Sequence, residues 1–330
     1  MLTALVIGDP HFKVSNTVDT NEMTQQMIDY AKSKTLDFIV VLGDVLDRHE
    51  HIHMIPLVKS VAFLKALQDI APLYLIIGNH DRKNNKVYLT EEHPFTALKY
   101  WDNTTVIDTV QKVIIKDKPF TFLPYVAPGL FQQALDEVEW QDSLCLFCHQ
   151  EFKGAQMGAF KSVEGDEWSE DNPYIISGHI HDYQLIQNNI LYLGTPIQHS
   201  FGDNPKKKIG LFTFTTPIKN HEDLVWEKVK LNLRLKKNIH LTPKQVEGYV
   251  LDDSFDAKII ITGSLAQTKS LLKHPKIDAW RKQGTKVVFK HLPSETPKIY
   301  NHTNEPFIKL LYLSLQHDTH LLNVYSEIFG

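Results

Sequence analysis

The chain has 330 residues, of which 42% are hydrophobic and 22% are charged, and its formal net charge is -4. This composition excludes a disordered or collagen-like chain, and two cysteines are too few for a disulfide scaffold. Because the amino terminus lacks a basic leader and no apolar run reaches the length of a membrane span, we expect a cytoplasmic protein that is neither secreted nor membrane-bound.

The first 120 residues alternate short apolar runs with helical patterns. The apolar runs end at Gly8, Gly43 and Gly78, and the spacing of apolar residues between them predicts helices over 21–34 and 54–70. Alternating strands and helices indicate an α/β sheet. Ligands bind at the carboxyl ends of the strands in such sheets, so the polar residues that follow the three glycines are candidates for a site.

From about residue 104 the pattern becomes β-rich, and we expect a second sheet packed on the first. One helix is predicted within it, over 130–138. A later strand, a helix over 264–272 and another strand predict a small α/β domain, and helical spacing returns over 306–329. We therefore expect three parts, at 1–230, 231–295 and 296–330.

Five short segments at predicted strand ends carry side chains that bind metals. A single histidine or Gly-Asp pair at such a place is more often structural, but four of the five segments follow a glycine that ends an apolar run. Turn chemistry alone does not account for that concurrence. The segments are Gly-Asp-Pro-His at 8–11, Gly-Asp at 43–44, Gly-Asn-His-Asp at 78–81, Cys-His at 148–149 and Gly-His-Ile-His at 178–181.

These side chains predict a centre with two cations. Asp, His and one Asn carbonyl without thiolate form a fairly hard ligand set, which suits manganese or iron better than structural zinc. Seven ligands exceed one coordination sphere but fit two cations that share a carboxylate, an arrangement common in phosphoryl chemistry. The candidate ligands are Asp9, His11, Asp44, Asn79, His149, His179 and His181.

The ordered set of segments resembles the calcineurin-like metallophosphoesterase superfamily. More narrowly, Gly-Thr-Pro at 194–196 followed by Ser-Phe-Gly-Asp at 200–203 resembles the SbcD and Mre type of DNA-repair nuclease, including its phage recombination relatives. The resemblance covers roughly 1–215 and extends more loosely to about 295. It implies a four-layer α/β/β/α sandwich with a small α/β cap that helps to seat DNA, and a helical tail.

The resemblance also implies roles for the site residues. Asp9, His11 and His181 would hold one metal, Asn79, His149 and His179 would hold the other, and Asp44 would bridge them. His80 resembles the catalytic histidine of the family, which protonates the leaving oxygen or stabilises its charge. Asp47 is placed as in the phosphatase branch, where it orients that histidine.

The function implied is a manganese-dependent exonuclease and endonuclease on DNA. Such a protein works as the nuclease subunit of a complex with an SbcC-type ABC ATPase, and helices like those predicted at 21–34 and 54–70 build a homodimer. It would act in the cytoplasm, at a nucleoid or at a viral replication site. The helical tail would bind the ATPase or pack on its own core.

Residues 204–300 support a polyanionic partner, because they carry 19 Lys or Arg against 9 Asp or Glu, whereas residues 1–203 carry 15 against 27. Two oppositely charged solvated faces would give the same bias. Two alternatives to a nuclease stay open. Arg48, after Gly-Asp-Val-Leu-Asp at 43–47, also resembles the phosphate-gripping arginine of phosphoprotein phosphatases, which favours a phosphomonoesterase. The second alternative is a DNA-binding scaffold with structural metals.

Overall fold

The computed structural model describes residues 1–49, 51–215, 218–292, 307–315, 320–322 and 324–325. The chain divides into two compact units. The first contains Met1–Asn238 and Leu251–Lys258, and the second contains Ile239–Val250 and the described residues of Ile259–Gly330. Among the described residues, no helix combines the length and the apolar character needed to cross a membrane.

The first unit alternates strands and helices and then continues as strands. In chain order its elements are β1 (Leu2–Ile7), α1 (Thr17–Lys32), β2 (Phe38–Val41), α2 (Met54–Gln68), β3 (Leu73–Ile76), β4 (Thr104–Ile107), β5 (Gln111–Ile115), β6 (Lys118–Leu123), α3 (Phe131–Leu135), β7 (Leu146–His149), β8 (Gln156–Met157), β9 (Phe160–Lys161), β10 (Ile175–Gly178), β11 (Gln184–Ile186), β12 (Ile190–Tyr192), β13 (Ile209–Phe214) and β14 (Val225–Val229).

Two six-stranded sheets form the first unit. The first has the order β14-β13-β1-β2-β3-β4, and the second has the order β11-β12-β10-β7-β6-β5. In the first sheet β1, β2, β3 and β4 are parallel, with Ala4 opposite Phe38, and β13 pairs antiparallel with β1. In the second sheet β6, β7, β10 and β12 are parallel. The parallel strands therefore bring their carboxyl ends together within each sheet.

Three apolar cores give this unit its four layers. Met27 of α1 and Leu64 of α2 pack on one face of the first sheet, and Phe131 of α3 packs on one face of the second. The two sheets share the middle core, where the ring centroids of Phe38 and Phe120 lie 5.3 Å apart. This α/β/β/α sandwich is the architecture expected from the sequence.

The second unit is a small α/β fold. Its elements are β15 (Leu235–Leu241), β16 (Phe255–Gly263), α4 (Leu265–Ser270), α5 (Pro275–Lys282), β17 (Lys286–His291) and α6 (Phe307–Leu315). The sheet has the order β15-β16-β17. Both β15 and β16 contain residues assigned to each unit, because the chain passes from one unit to the other within these strands.

Several helices differ in length from the predicted ones. Helix α1 begins four residues before position 21, and α3 is shorter than the predicted 130–138. Helix α5 and strand β15 have no counterpart among the predicted elements. In the predicted tail, α6 covers Phe307–Leu315, and residues 296–306, 316–319, 323 and 326–330 lie outside the described residues.

Candidate metal centre

Five chain segments meet at one edge of the two-sheet sandwich. Asp9 follows β1, Asp44 follows β2 and Asn79 follows β3, all neighbours in the first sheet. From the second sheet, His149 is the last residue of β7 and His179 directly follows β10. Because these strands are parallel to their neighbours within each sheet, the loops that leave them carry the predicted side chains into one cluster.

One group of ligand atoms comes from Asp9, His11 and His181, whose candidate donors all lie within 4.8 Å of one another. The Nε2 atoms of His11 and His181 are 3.0 Å apart. The Oδ2 atom of Asp9 accepts a hydrogen bond of 2.9 Å from the backbone N–H of His179, whereas its buried Oδ1 atom has no hydrogen-bond partner. Burying a carboxylate oxygen without a hydrogen-bond partner raises the free energy of the folded state unless a cation binds it.

The second group consists of Asp44, His149 and His179, also within 4.8 Å, and Asn79 adjoins it. His149 donates a hydrogen bond of 2.8 Å from Nδ1 to the carbonyl oxygen of Leu42, so its Nε2 atom carries the lone pair. That Nε2 lies 3.0 Å from Asn79 Oδ1 and 3.3 Å from Asp44 Oδ2. Three lone-pair atoms converge here, which is the donor arrangement of a cation site.

Asp44 lies between the two groups. Its Oδ2 atom is 3.3 Å from Nε2 of His149 and 3.7 Å from Nε2 of His11, one imidazole from each group. Its Oδ1 atom accepts a hydrogen bond of 2.8 Å from the backbone N–H of His80. The position of Asp44 is therefore that of a carboxylate shared by two cations.

Burial and neighbouring charges shift the pKa values of the side chains in this cluster. Burial lowers the pKa of His11 and of His149, which keeps these imidazoles neutral and able to donate lone pairs. Burial, followed by the charge of Asp44, raises the pKa of Asp9. Burial alone would raise the pKa of Asp44 as well, but positive charge on the imidazoles of His149 and His11 lowers it instead. The electrostatics therefore favour the charged, metal-binding form of the Asp44 carboxylate.

Unusual backbone conformations place three of these side chains. His11, Asp44 and His179 have φ angles of 45°, 46° and 81°, in the left-handed region that non-glycine residues rarely adopt. Asp81 stabilises the second loop, because its carboxylate accepts hydrogen bonds from the backbone N–H groups of Val45 and Leu46 at 3.1 and 2.9 Å. Such strain concentrates at functional sites, where the surrounding structure over-determines the backbone.

His80 borders the cluster without belonging to either group. Its Nδ1–H donates a hydrogen bond of 2.8 Å to the backbone carbonyl of Asp47, and its Nε2 lies 4.0 Å from Oδ2 of Asp44. The side chain is 32% exposed, so a substrate can reach it. An orienting role of the Asp47 side chain would place its carboxylate against His80. The backbone carbonyl of Asp47 makes that contact instead, and its carboxylate accepts a hydrogen bond of 3.0 Å from Nζ of Lys13.

The sequence model of the calcineurin-like phosphoesterase family matches residues 2–214, which include all seven ligands. The chain belongs to the calcineurin-like phosphoesterase family. Members of this family use divalent metal ions, and the two ligand groups described above fit such ions in number, chemistry and convergence. The expected superfamily is thus confirmed.

Two relatives from viruses support the same family. Protein 244L of Invertebrate iridescent virus 6, which is named as a phosphoesterase, is 38% identical over 275 residues, covering 82% of this chain and 97% of its own length. Protein 078R of Invertebrate iridescent virus 3, named in the same way, is 35% identical over 304 residues, covering 89% of this chain and 85% of its own. An archaeal phosphodiesterase of known structure aligns with 69% of this chain and 99% of its own, with 11% identity and a TM-score of 0.37.

Two residues at the centre of this phosphoesterase were not among the predicted ligands. The half-buried ring of His199 packs edge-on against His11, with a centroid distance of 5.1 Å, and its buried Nδ1 has no hydrogen-bond partner among the described residues. Glu151 places Oε2 at 3.9 Å from Nε2 of His179. Neither residue follows a strand-ending glycine. The sequence gives only weak signals for them. Glu151 lies two residues after His149, and His199 lies between the nuclease-like segments 194–196 and 200–203.

Proposed function

We propose that this phosphoesterase is a metal-dependent DNA nuclease of the SbcD and Mre type, acting as an exonuclease and endonuclease with manganese as its metal. The observation that carries the proposal is the position of residues 194–203, which contain the two nuclease-like segments. The backbone N–H of Thr195 donates a hydrogen bond of 3.0 Å to the carbonyl oxygen of His181. Asp203 lines a cavity of about 340 Å³ together with His179 and His181.

The side chains of the centre divide the reaction between them. The metals, held by the two ligand groups, would neutralise charge on the phosphoryl group and activate water. The water loses a proton to the solvent and its oxygen bonds to phosphorus as the bond from phosphorus to the leaving oxygen breaks. Because Nδ1 of His80 is held by the carbonyl of Asp47, its Nε2 is the nitrogen that faces the centre. A doubly protonated His80 delivers the Nε2 proton to the leaving oxygen.

The basic part of the chain supports DNA as the substrate. In the second unit, Lys282, Lys286 and Lys290 are exposed on or beside α5 and β17 and have no ion-pair partner within the described residues. We propose that the segment 231–295 acts as a cap that holds the DNA backbone. Replacing the three lysines by glutamine should reduce the slope of log affinity against log salt by up to about 2.7, since each contact with duplex DNA contributes about 0.9. An unchanged slope would contradict the cap.

We also propose that the nuclease binds an SbcC-type ABC ATPase through its helical tail. Helix α6 exposes Tyr312 and Leu313 by 40% and 46%, and an apolar helix face is suited to a groove on a partner. Deletion of 300–330 should abolish co-purification with the ATPase and leave cleavage of single-stranded DNA intact. Unfolding of the shortened protein would show that the tail belongs to its own core.

A homodimer built by α1 and α2 is a further part of the proposal. These helices leave large apolar side chains exposed, including Val18 at 79%, Met54 at 78% and Val58 at 61%. Exposed apolar patches of this kind mark interfaces more often than scattered single residues do. Val18→Lys combined with Val58→Lys should convert a dimer to a monomer in sedimentation velocity, and a monomeric unsubstituted protein would refute this part.

A phosphomonoesterase is the second candidate, and Arg48 favours it. Arg48 lines a cavity of about 240 Å³ together with His80 and Arg82, where it could grip a terminal phosphate.

The test gives the purified protein with manganese labelled linear duplex DNA and para-nitrophenyl phosphate in parallel. We expect DNA cleavage to dominate. Preference for the monoester would favour the second candidate, and DNA binding without any hydrolysis would favour a scaffold.

A further inference from the structure

Two lysines contact an aromatic pair at one end of the two-sheet sandwich, and a third lysine adds its charge to theirs; none of the three has an acidic partner among the described residues. We call Lys206, Lys208 and Lys228 the lysine cluster. The Nζ atom of Lys208 lies 3.5 Å from the centroid of the Tyr183 ring, and that of Lys228 lies 4.8 Å from the same centroid. Lys228 is also 5.0 Å from the centroid of Trp226. Two ammonium groups therefore share one aromatic surface.

The base of the cluster is rigid. Trp226 stacks on Phe212 with a centroid distance of 5.0 Å and an interplanar angle of 3°, and it lies 6.0 Å from Tyr183. Lys228 and Trp226 belong to β14, and Tyr183 directly precedes β11, so the cluster occupies the edge strands of both sheets. Lys228 is thus held by a strand, whereas Lys206 and Lys208 lie in the segment that leads into β13.

No carboxylate neutralises the cluster in the part of the chain that the structure describes. Asp182 directly precedes Tyr183, but its carboxylate is already paired with Lys207 at 3.0 Å. Glu227, next to Lys228, contacts Tyr30. Burial, together with the charges of Lys228 and its neighbours, lowers the pKa of Lys208 to about 8. Positive charges that repel one another without a counter-ion favour the binding of an anion.

The cluster adjoins the metal centre. Tyr183 is two residues from His181, so the two Cα atoms are at most about 7 Å apart. Lys207 lies between Lys206 and Lys208 in the sequence, and its Nζ donates a hydrogen bond of 2.8 Å to the carbonyl oxygen of His181. An anion bound by the cluster would therefore be a neighbour of the group that reacts at the metals.

From this geometry we propose that the lysine cluster is a phosphate-binding subsite for the backbone of a nucleic acid, next to the metal centre. It rests on the proposed function only for the identity of the polymer. A phosphomonoester has no second phosphate to place here, so the subsite would distinguish a polymeric diester from a small monoester. Lysines bind phosphate as point charges, and aromatic rings beside them offer stacking surfaces to bases.

The test measures the binding of a fluorescent single-stranded DNA by anisotropy over a range of salt concentrations. Lys208→Gln combined with Lys228→Gln should reduce the slope of log affinity against log salt by about 1.4, since each contact with a single strand contributes about 0.7. Lys32→Gln with Lys65→Gln, which removes one charge on α1 and one on α2, is the matched control and should keep the slope. Lys208→Arg with Lys228→Arg should keep the slope as well, because it preserves both charges.

Two results would overturn the subsite. One is an unchanged slope in a folded glutamine variant. The other is an equal loss of binding to an oligomer of the same sequence with an uncharged peptide backbone, because the cluster would then recognise bases and not phosphates. If the unsubstituted protein binds DNA through these lysines but does not cleave it, the proposed nuclease function fails while the subsite stands.

Discussion

Gly78→Ala tests whether close contact between two loops holds the metal centre together. A Cβ atom at position 78 would lie 2.3 Å from both the backbone nitrogen and Oδ1 of Asp44, and 2.9 Å from Cε1 of His149. Ordinary contacts begin at 3.4 Å, so the Asp44 loop must move by about 1 Å. Displacements of this size cost about a hundredfold in rate, and overpacking costs about 1–3 kcal/mol of folding free energy.

The assay combines metal content, turnover and thermal unfolding. We expect Gly78→Ala to retain less manganese after dialysis by plasma mass spectrometry, and to hydrolyse bis-para-nitrophenyl phosphate about a hundredfold more slowly. Gly248→Ala is the matched control, because its added Cβ meets no atom within 4 Å. Full metal content and normal turnover in a folded Gly78→Ala protein would refute the reasoning.

Three further predictions follow from the contacts of single side chains. Asp44→Ala should remove both metals in mass spectrometry because it removes the shared ligand; retention of both would contradict its bridging position. His80→Ala should keep both metals and lower turnover by about a hundredfold or more, and loss of metal would reassign it as a ligand. Hydrogen bonds from His93 at 3.0 Å and Lys99 at 2.6 Å outweigh burial and lower the pKa of Asp108. The folded state therefore gains stability from the charged Asp108 above the pKa that this carboxyl has in the unfolded chain, and it loses that stability as pH falls. Asp108→Asn should lower the melting temperature at pH 7 and flatten its decline in acid.

The predicted ligands could be found from the sequence because of where they occur. Each follows or ends a strand, and the carboxyl ends of parallel strands meet at one edge of a sheet, so a local pattern translates directly into spatial proximity. The structure brings all seven together. His199 and Glu151 escaped prediction because their closeness to His11 and His179 depends on how separate loops fold back, which no strand-end pattern encodes.

The glycines before the ligands have two different roles. Gly43 has a positive φ of 104°, which permits a sharp turn after β2. At Gly78 and Gly178 the requirement is instead close approach, since a Cβ at 178 would lie 2.5 Å from Oδ1 of Asp9. Contacts between distant loops of this kind cannot be read from a single local segment.

The elements that sequence patterns missed are short or polar. Helix α5 buries only Ile277 and Trp280, three residues apart, so its periodicity is too brief to detect. Its start does carry a signal, Pro275 in the first turn. Strand β15 has three apolar residues in seven, and Lys237 interrupts their alternation. The Asp47 contact was missed for another reason, because a backbone carbonyl holds His80 and any residue at that position could supply one.

The central claim is that this phosphoesterase holds two metals at the shared edge of its sheets. Anomalous diffraction from crystals grown with manganese tests it most directly. We expect two peaks about 3.5–4 Å apart, with Asp44 between them. One peak should lie against Asp9, His11 and His181, and the other against Asn79, His149 and His179. A single peak, or peaks bound by other side chains, would contradict the account.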